Sequence, residues 1–405
     1  MAEKIKFGII GTGQRAYGAY GRLLTGAFAQ EAELVALADT NEKRLKAVAR
    51  LLDVKGIALY RDYHRMLAET ELDAVVVATP DFTHEQVATD VLQAGKHVIC
   101  EKPLATTVAG CQKILAAQGP EQVLQVGFVL RYNRVYSTAK KLIDDGVIGR
   151  VQQIVATDNR RGADYFRRWH RFREKSGGLF NHKSTHILDI VNWIAGGSPT
   201  KVVATGGLGV FTPGKWQGER CLTCRHRREC PEYYDLTQEP LKSMYLEAES
   251  EDGYIRDVCV FTSEKTTVDH GSALVEYDNG VKASYNLALY APVNTRQMMV
   301  FGDQGKLELD ESSRTITLRL SNNADEIEYK VGEQFGGHGG GDAGLVREFI
   351  DCVRNKTQPL ADAGTGALSC LVSLAAERSV QEGRVISLLD MVQEAKADPM
   401  LFRIR

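Results

Sequence analysis

No sign of charge predominates in the 405 residues: 50 Lys and Arg stand against 52 Asp and Glu, a formal net of -2. That balance excludes a generally basic nucleic-acid binder and a polyacidic solvating chain. No apolar run approaches the roughly 18 residues that a membrane-spanning helix needs. The start, MAEKIKFGIIGTG, lacks the pattern of a secretory signal and runs directly into a short strand and a glycine turn, which predicts a cytoplasmic protein. Internal repeats and low-complexity tracts are missing as well. Cysteine is sparse, 8 in all, but unevenly spread: Cys221, Cys224 and Cys230 fall close together and Cys259 follows. In a reducing compartment such a cluster reads as metal binding before disulfides.

What is present is ordinary globular material, 43% hydrophobic and 25% charged, long enough for two cores. Residues 5–10, 33–38, 73–78 and 96–100, and a stretch from about Gln122, read as short apolar strands, and helical patterns follow Asp39 and Thr83. Thr83 is placed to cap its helix and Gly95 to close it. This alternation predicts βαβ units and a parallel sheet. The texture changes after about residue 150. Alternating runs joined by tight turns, with Asp278-Asn279-Gly280 as a hairpin signal, predict a mostly antiparallel sheet interrupted by the helix THILDIVNWIAGG. Residues 344–355 and 366–382 look helical, and RVISL looks like a closing strand. A polar stretch over 212–257 shows little periodicity, as functional, metal-tied or disordered loops do.

Gly11-Thr12-Gly13-Gln14-Arg15-Ala16 is G-x-G-x-x-A between a strand and a helix. Gly11 permits the tight turn, Gly13 lets backbone approach a pyrophosphate, and Ala16 keeps the helix close to the sheet. Asp39 ends the second strand, where an acid binds the adenine-side ribose hydroxyls. It repels a 2′-phosphate and so favours NAD, while Lys43 and Arg44 leave NADP open. Thr79-Pro80 and Glu101-Lys102-Pro103 each end a strand, at the edge where open parallel sheets place ligands. Lys102 there can orient a hydroxyl or shuttle its proton; a surface lysine in a turn is the plain alternative. His182 and His186, spaced i, i+4 after a Gly-Gly turn, share one helix face. They suit a general base with its orienting group, or a metal, against the plain reading of buried core histidines. Arg168 and Trp169, in a loop crowded with arginines and aromatics, suit a polyhydroxylated or anionic ligand; a solvated basic loop is the alternative. Cys221, Cys224, Cys230 and Cys259 have the makings of a structural zinc site, with His226 as an alternative fourth ligand; metal-free thiols and an iron–sulfur cluster are the other readings. His338, in the glycine-rich run before a helix, is a candidate substrate contact, and Asp342 a candidate cap of that helix.

These residues together resemble the Gfo/Idh/MocA oxidoreductase family, named for its glucose–fructose oxidoreductase and inositol dehydrogenase members. The matching stretches are GIIGTGQRA, Asp39, ATPDFTHEQVATDVLQAGKHVICEKPL, GFVLRYNRVYSTAKKLIDDGVIGRV and SGGLFNHKSTHILDIVNWI. The resemblance covers essentially the whole chain outside the cysteine-bearing insertion. It implies an α/β protein: a Rossmann dinucleotide-binding domain over residues 1–127, then an α+β domain over 128–405 with a large open, mostly antiparallel sheet. That second domain would carry the Cys-rich insertion at about 212–259, and its C-terminal segment is expected to pack back on the first. The open sheet face is expected to form a homodimer or homotetramer. The implied activity is NAD(P)-dependent oxidation or reduction of one hydroxyl of a sugar, sugar derivative or cyclitol. Lys102 matches the catalytic lysine of the EKP motif and His186 the usual general base. Position 182, commonly Asp in the family, is His here. The candidate cofactor residues are Gly11, Gly13, Gln14, Arg15, Asp39, Thr79, Pro80, His84, Glu101 and Lys102. Arg131 and Tyr132 join Arg168, Trp169, His182, His186 and His338 as candidate substrate contacts.

Two other readings remain. A glycosidase or lyase could oxidise a sugar transiently and return the hydride to the same bound NAD. A non-catalytic nicotinamide sensor could use the frame alone, against which Lys102 and His186 weigh.

Overall fold

The computed structural model describes residues 3–322, 326–332 and 334–404. The first sheet contains β1 (Ile5–Ile10), β2 (Ala32–Ala38), β3 (Ala58–Tyr60), β4 (Ala74–Val77), β5 (His97–Cys100) and β6 (Leu124–Val126). Their order is β3-β2-β1-β4-β5-β6, with every pairing parallel. All four residues of β4, AVVV, are buried, as a central parallel strand covered on both faces requires. The order reverses between β1 and β4, which opens a crevice at their carboxyl ends. Asn41 caps the helix Glu42–Leu52 by accepting from the Arg44 amide. Thr83 does not cap the next helix as expected. Its hydroxyl turns back to Thr79 Oγ1 at 2.8 Å and to the Pro80 carbonyl at 2.7 Å, because a short 3₁₀ turn, Asp81–Thr83, precedes His84–Gln93.

The second sheet contains β7 (Val151–Arg161), β8 (Pro199–Gly207), β9 (His270–Tyr277), β10 (Lys282–Ala288), β11 (Tyr290–Gly302), β12 (Gly305–Asp310), β13 (Thr315–Leu320), β14 (Glu326–Lys330) and β15 (Ile386–Ser387). The order is β14-β13-β12-β11-β7-β10-β9-β8-β15, antiparallel except for the parallel pair β7 and β10. The β9–β10 hairpin turns at Asn279-Gly280, with Gly280 at φ +90°. Helices Thr185–Ala195 and Ala363–Glu382 pack on one face, over Ala273, Val275, Ala283, Tyr285 and Val300. The other face is open and exposes Leu274 and Met299 among polar residues.

A buried ionic knot sits under the covered face. Asp158 on β7 accepts from Lys183 Nζ at 2.5 Å, Arg160 Nε at 2.6 Å and Arg296 Nε at 3.2 Å. Burial opposes the Asp158 charge, yet these three cations hold its carboxyl well below the ordinary range. Burial and the neighbouring Arg296 and Arg160 push Lys183 down to about 7 against the pull of Asp158.

The C-terminal segment crosses back to the first sheet. Helix Gly341–Asn355 buries Leu345, Val346, Phe349 and Ile350 in the same core as Phe7 and Ile9. The Phe349 ring meets Phe7 at 5.8 Å between centroids. Phe349→Ala should therefore lower the unfolding free energy by about 3–5 kcal/mol, the usual range for a buried Phe. Urea denaturation measures this, and a loss below about 1 kcal/mol would show that the docked helix contributes little to the first core.

Candidate active site

Three turns meet at the carboxyl ends of β1, β4 and β5. Gly11 has φ +87°, and a Cβ there would lie 2.7 Å from the Ala78 carbonyl oxygen, so only glycine fits the turn. Asp39 accepts from the Thr12 amide and hydroxyl, both at 2.8 Å, and from the Asn41 amide at 2.9 Å. A carboxylate fixed this way keeps lone pairs for hydroxyl donors. Glu101 accepts from Arg15 Nε at 2.5 Å, Tyr20 Oη at 2.7 Å and the Lys102 amide at 3.2 Å. Burial opposes its charge, but Arg15 and Tyr20 hold the carboxyl below the ordinary range. Arg15 continues through Nη1 to Asp342 Oδ1 at 2.7 Å. The glycine turn, the lysine turn and the C-terminal segment are thus tied by one chain of charges.

The second domain supplies the opposite wall. A wide π-type turn, Phe180–Ser184, precedes the helix Thr185–Ala195 and carries His182. The two rings meet different neighbours. His182 faces Tyr165 and Trp169, each at 5.6 Å, and His170 at 3.9 Å between ring centroids. His186 lies 6.4 Å from Phe128 and 6.1 Å from His338. Lys102 Nζ donates to the carbonyl oxygen of His182 at 2.6 Å. Burial lowers the Lys102 pKa, with Asp81 and Glu101 opposing that shift.

His182 Nδ1 is 2.6 Å from Asp81 Oδ2. Burial raises Asp81 well above the carboxylate range, although Lys102 pulls the other way. Burial, with His170 and Lys102 adding like charge, lowers His182 well below the imidazole range. Both shifts favour an uncharged pair, a protonated Asp81 against a neutral His182, with Nδ1 engaged by Asp81. His186 and His170 are also driven toward the neutral form, first by burial and then by nearby cations, Lys102 and Arg296 foremost for His186, and Arg168, Lys102 and Arg256 for His170. The Nδ1 atoms of both are buried without a partner.

Lys102, His182, His186, His338, Trp169 and Arg168 thus converge on the crevice. Arg168 Nε is held by the Asp164 carbonyl at 3.0 Å, and His338 lies 3.2 Å from Asp342. Other candidates do not join them. Arg131 makes a two-point pair with Asp189 at 2.8 and 2.9 Å and stacks on Trp193. Tyr132 donates to Glu348 at 2.5 Å. Both brace the junction to the C-terminal helices, since buried polar groups take the nearest fixed partner. His84 is fully buried, with ring nitrogens 2.8 Å from the Pro103 carbonyl and 3.0 Å from that of Thr79. It locks two turns together from behind.

The cysteines of the expected zinc site are drawn to one place in the insertion. Cys221, Cys224, Cys230 and Cys259 line one cavity with Trp216 and His226. Among the described residues, however, no group of three or more His, Cys, Asp or Glu side chains stands where it could hold a metal ion. The sulfurs have other company: His226 N lies 3.4 Å from Cys224 Sγ, and bonds from Thr262 help lower the Cys259 pKa against burial. Sequence reading missed Asp81, Tyr165 and His170 as site residues. Asp81 was visible beside Thr79-Pro80, but nothing local signalled its partner 101 positions away.

A glycine-turn parallel domain with an acid after its second strand, facing a lysine and histidines, defines an NAD(P)-dependent oxidoreductase. The chain belongs to the Gfo/Idh/MocA oxidoreductase family. Its NAD-binding Rossmann-fold model matches residues 5–128, and its C-terminal alpha/beta domain model matches residues 140–388. YteT of Bacillus subtilis (strain 168), named as an oxidoreductase, is 31% identical over 95% of this chain and 97% of its own length. Inositol 2-dehydrogenase 1 of Saccharopolyspora erythraea is 36% identical over 47% of this chain and 54% of its own. Levoglucosan dehydrogenase in complex with NADH and levoglucosan shares the fold at TM-score 0.76 and 17% identity, over 95% of this chain and 100% of that one.

His186 tests whether the crevice is as dry as its burial implies. Its folded pKa lies below the ordinary 6.5, so the unfolded chain takes up the proton first and stability falls as pH drops through 6.5. His186→Gln removes that proton uptake. The stability gap between wild type and variant should narrow by about 1 kcal/mol between pH 6.5 and 5.5. Urea midpoints at the two pH values measure it, and a gap that stays constant would show that His186 is not kept neutral.

Proposed function

We propose that the protein oxidises one secondary hydroxyl of a sugar, sugar derivative or cyclitol, or reduces the corresponding ketone. The observation that carries this reading is Lys102 Nζ at the end of β5, 2.6 Å from the His182 carbonyl oxygen and flanked by histidines that burial keeps neutral. NAD, when bound, supplies the hydride acceptor. Lys102 orients the substrate hydroxyl, and His186 accepts its proton as the carbon loses hydride. His182, fixed by Asp81, orders the relay from the other side. Trp169 offers a face for a sugar ring, and Arg168 and His338 offer donors to its hydroxyls. The names of the inositol dehydrogenase and levoglucosan dehydrogenase relatives support a polyhydroxylated substrate.

The preferred cofactor in this reading is NAD. Arg44, the residue able to greet a 2′-phosphate, is taken by Asp252 at 2.8 Å and Asp39 at 3.4 Å. The open face of the second sheet is the surface for a homodimer or homotetramer, and the eight free cysteines suit a reducing cytoplasm.

A second reading, transient oxidation with return of the hydride, gains support from one relative. The 2,7-anhydro-N-acetylneuraminate hydratase of Mediterraneibacter gnavus, 32% identical over 51% of this chain and 53% of its own length, is named for a reaction without net oxidation. Incubation with NAD and a panel of sugars, cyclitols and glycosides separates the two. NADH accumulating with a keto product is the expected outcome; substrate converted without net NADH would replace it with the second reading. On the substrate so found, Lys102→Ala should lower kcat by roughly 10² to 10⁴, and an unchanged kcat would remove Lys102 from proton transfer.

A further inference from the structure

The insertion between β8 and β9 does not stay in its own domain. Its segment 241–256 reaches across to the cofactor end of the first sheet. Met244 and Tyr245 are buried in the same core as Leu45 and Val48. Asn41 Nδ2 donates to the Ala248 carbonyl at 3.0 Å, and the Lys43 amide donates to Glu251 at 2.8 Å. At the glycine turn, the Gln14 amide donates to Tyr245 Oη at 2.8 Å, and Arg256 Nη2 donates to Gln14 Oε1 at 3.0 Å.

Arg256 is the informative residue. It is 4% exposed, and its Nε is buried without a hydrogen-bond partner. The guanidinium stacks on Tyr245, 4.4 Å from the ring centroid. Tyr234, Tyr245 and Tyr254 surround it, with the Asp164 carboxylate exerting a weaker pull. Among the described residues, no carboxylate forms an ion pair with it. A guanidinium stays charged at any accessible pH. Burial opposes that charge, but the tyrosines and Asp164 sustain it, and with no paired carboxylate the guanidinium remains available to an anion. The anion that belongs beside a glycine turn is a diphosphate.

Resting on the reading that this crevice binds a dinucleotide, we propose that Arg256 is a cofactor-binding residue, supplied by the insertion, whose guanidinium pairs with the pyrophosphate. Tyr245 positions it over the turn. The insertion is then the outer wall of the cofactor site rather than a surface ornament.

The test compares wild type, Arg256→Met and Arg256→Lys by calorimetric titration with NADH, ADP-ribose and adenosine, and by thermal midpoints without ligand. Loss of one charge-assisted contact should weaken NADH and ADP-ribose by about 10- to 100-fold, with adenosine unchanged. Arg256→Lys should recover part of the loss. The ligand-free midpoint of Arg256→Met reports how far the residue also supports the fold, so affinities are compared below that midpoint. Equal weakening of all three ligands, or no weakening at all, would overturn the assignment in favour of a structural arginine, and Arg256→Lys keeps the same comparison decisive where Arg256→Met fails to fold. Wild-type protein that binds neither NADH nor ADP-ribose would instead remove the dinucleotide reading, and this proposal with it.

Discussion

The carboxylate of Glu101 is the constraint on which the site depends. It stands between the glycine turn and the lysine turn and takes Arg15, Tyr20 and the Lys102 amide at once. Through Arg15 it reaches Asp342, and through Asp342 it reaches His338. Three segments far apart in the chain are thereby fixed around one buried charge. Two loops that move independently cannot keep a lysine within proton-transfer range of a bound hydroxyl, because small displacements are costly in rate. Glu101 removes that freedom. His84 does the same from the rear by bridging Pro103 and Thr79 through two carbonyl oxygens.

Burial then decides the proton arrangement. His170, His182 and His186 are all pushed toward the neutral form, while Lys102 and Arg168 supply positive charge nearby. A neutral imidazole beside a cation is a proton acceptor that does not need to be emptied first. The Asp81–His182 pair adds to this. A hydrogen bond of 2.6 Å fixes the ring, and burial favours the uncharged form of both partners. The carboxylate that the family commonly carries at position 182 is thus replaced by an imidazole whose acid partner comes from the other domain. Opening or closing between the domains would make or break that pair, so proton management and domain geometry are linked.

The sequence made the parallel sheet legible because its strands are short apolar runs separated by helical periods. Asp39, Lys102 and the glycine turn were legible for the same local reason: their roles follow from their place at a strand end. β3, only three residues long and half-exposed, and the largely exposed β14 carry too little apolar pattern to be seen. The parallel pairing of β7 with β10 was hidden too, since strand direction depends on connections rather than on alternation. The i, i+4 spacing of His182 and His186 is read directly from the sequence, but the wide turn at 180–184 that carries His182 leaves no local trace. Arg131 and Tyr132 looked like cleft residues by position, but their partners, Asp189 and Glu348, lie 58 and 216 residues away. Pairings at that range leave no local trace.

The cysteines show how far local reading carries. Their spacing invites a tetrahedral metal, and the fold does gather them around one cavity. The insertion also has to hold its shape while reaching into another domain, and several contacts contribute to that. The Arg220 guanidinium is paired with Glu249 and with Asp257, at 2.9 and 2.7 Å. The Leu222 amide donates to the same Asp257 at 2.7 Å. These contacts link the cysteine-bearing turn directly to the segment that carries Tyr245 and Arg256. An insertion tied at its base and seated by Met244 and Tyr245 in the first core presents Arg256 from a fixed frame. That rigidity is what allows a buried guanidinium to remain beside the glycine turn instead of swinging out to water.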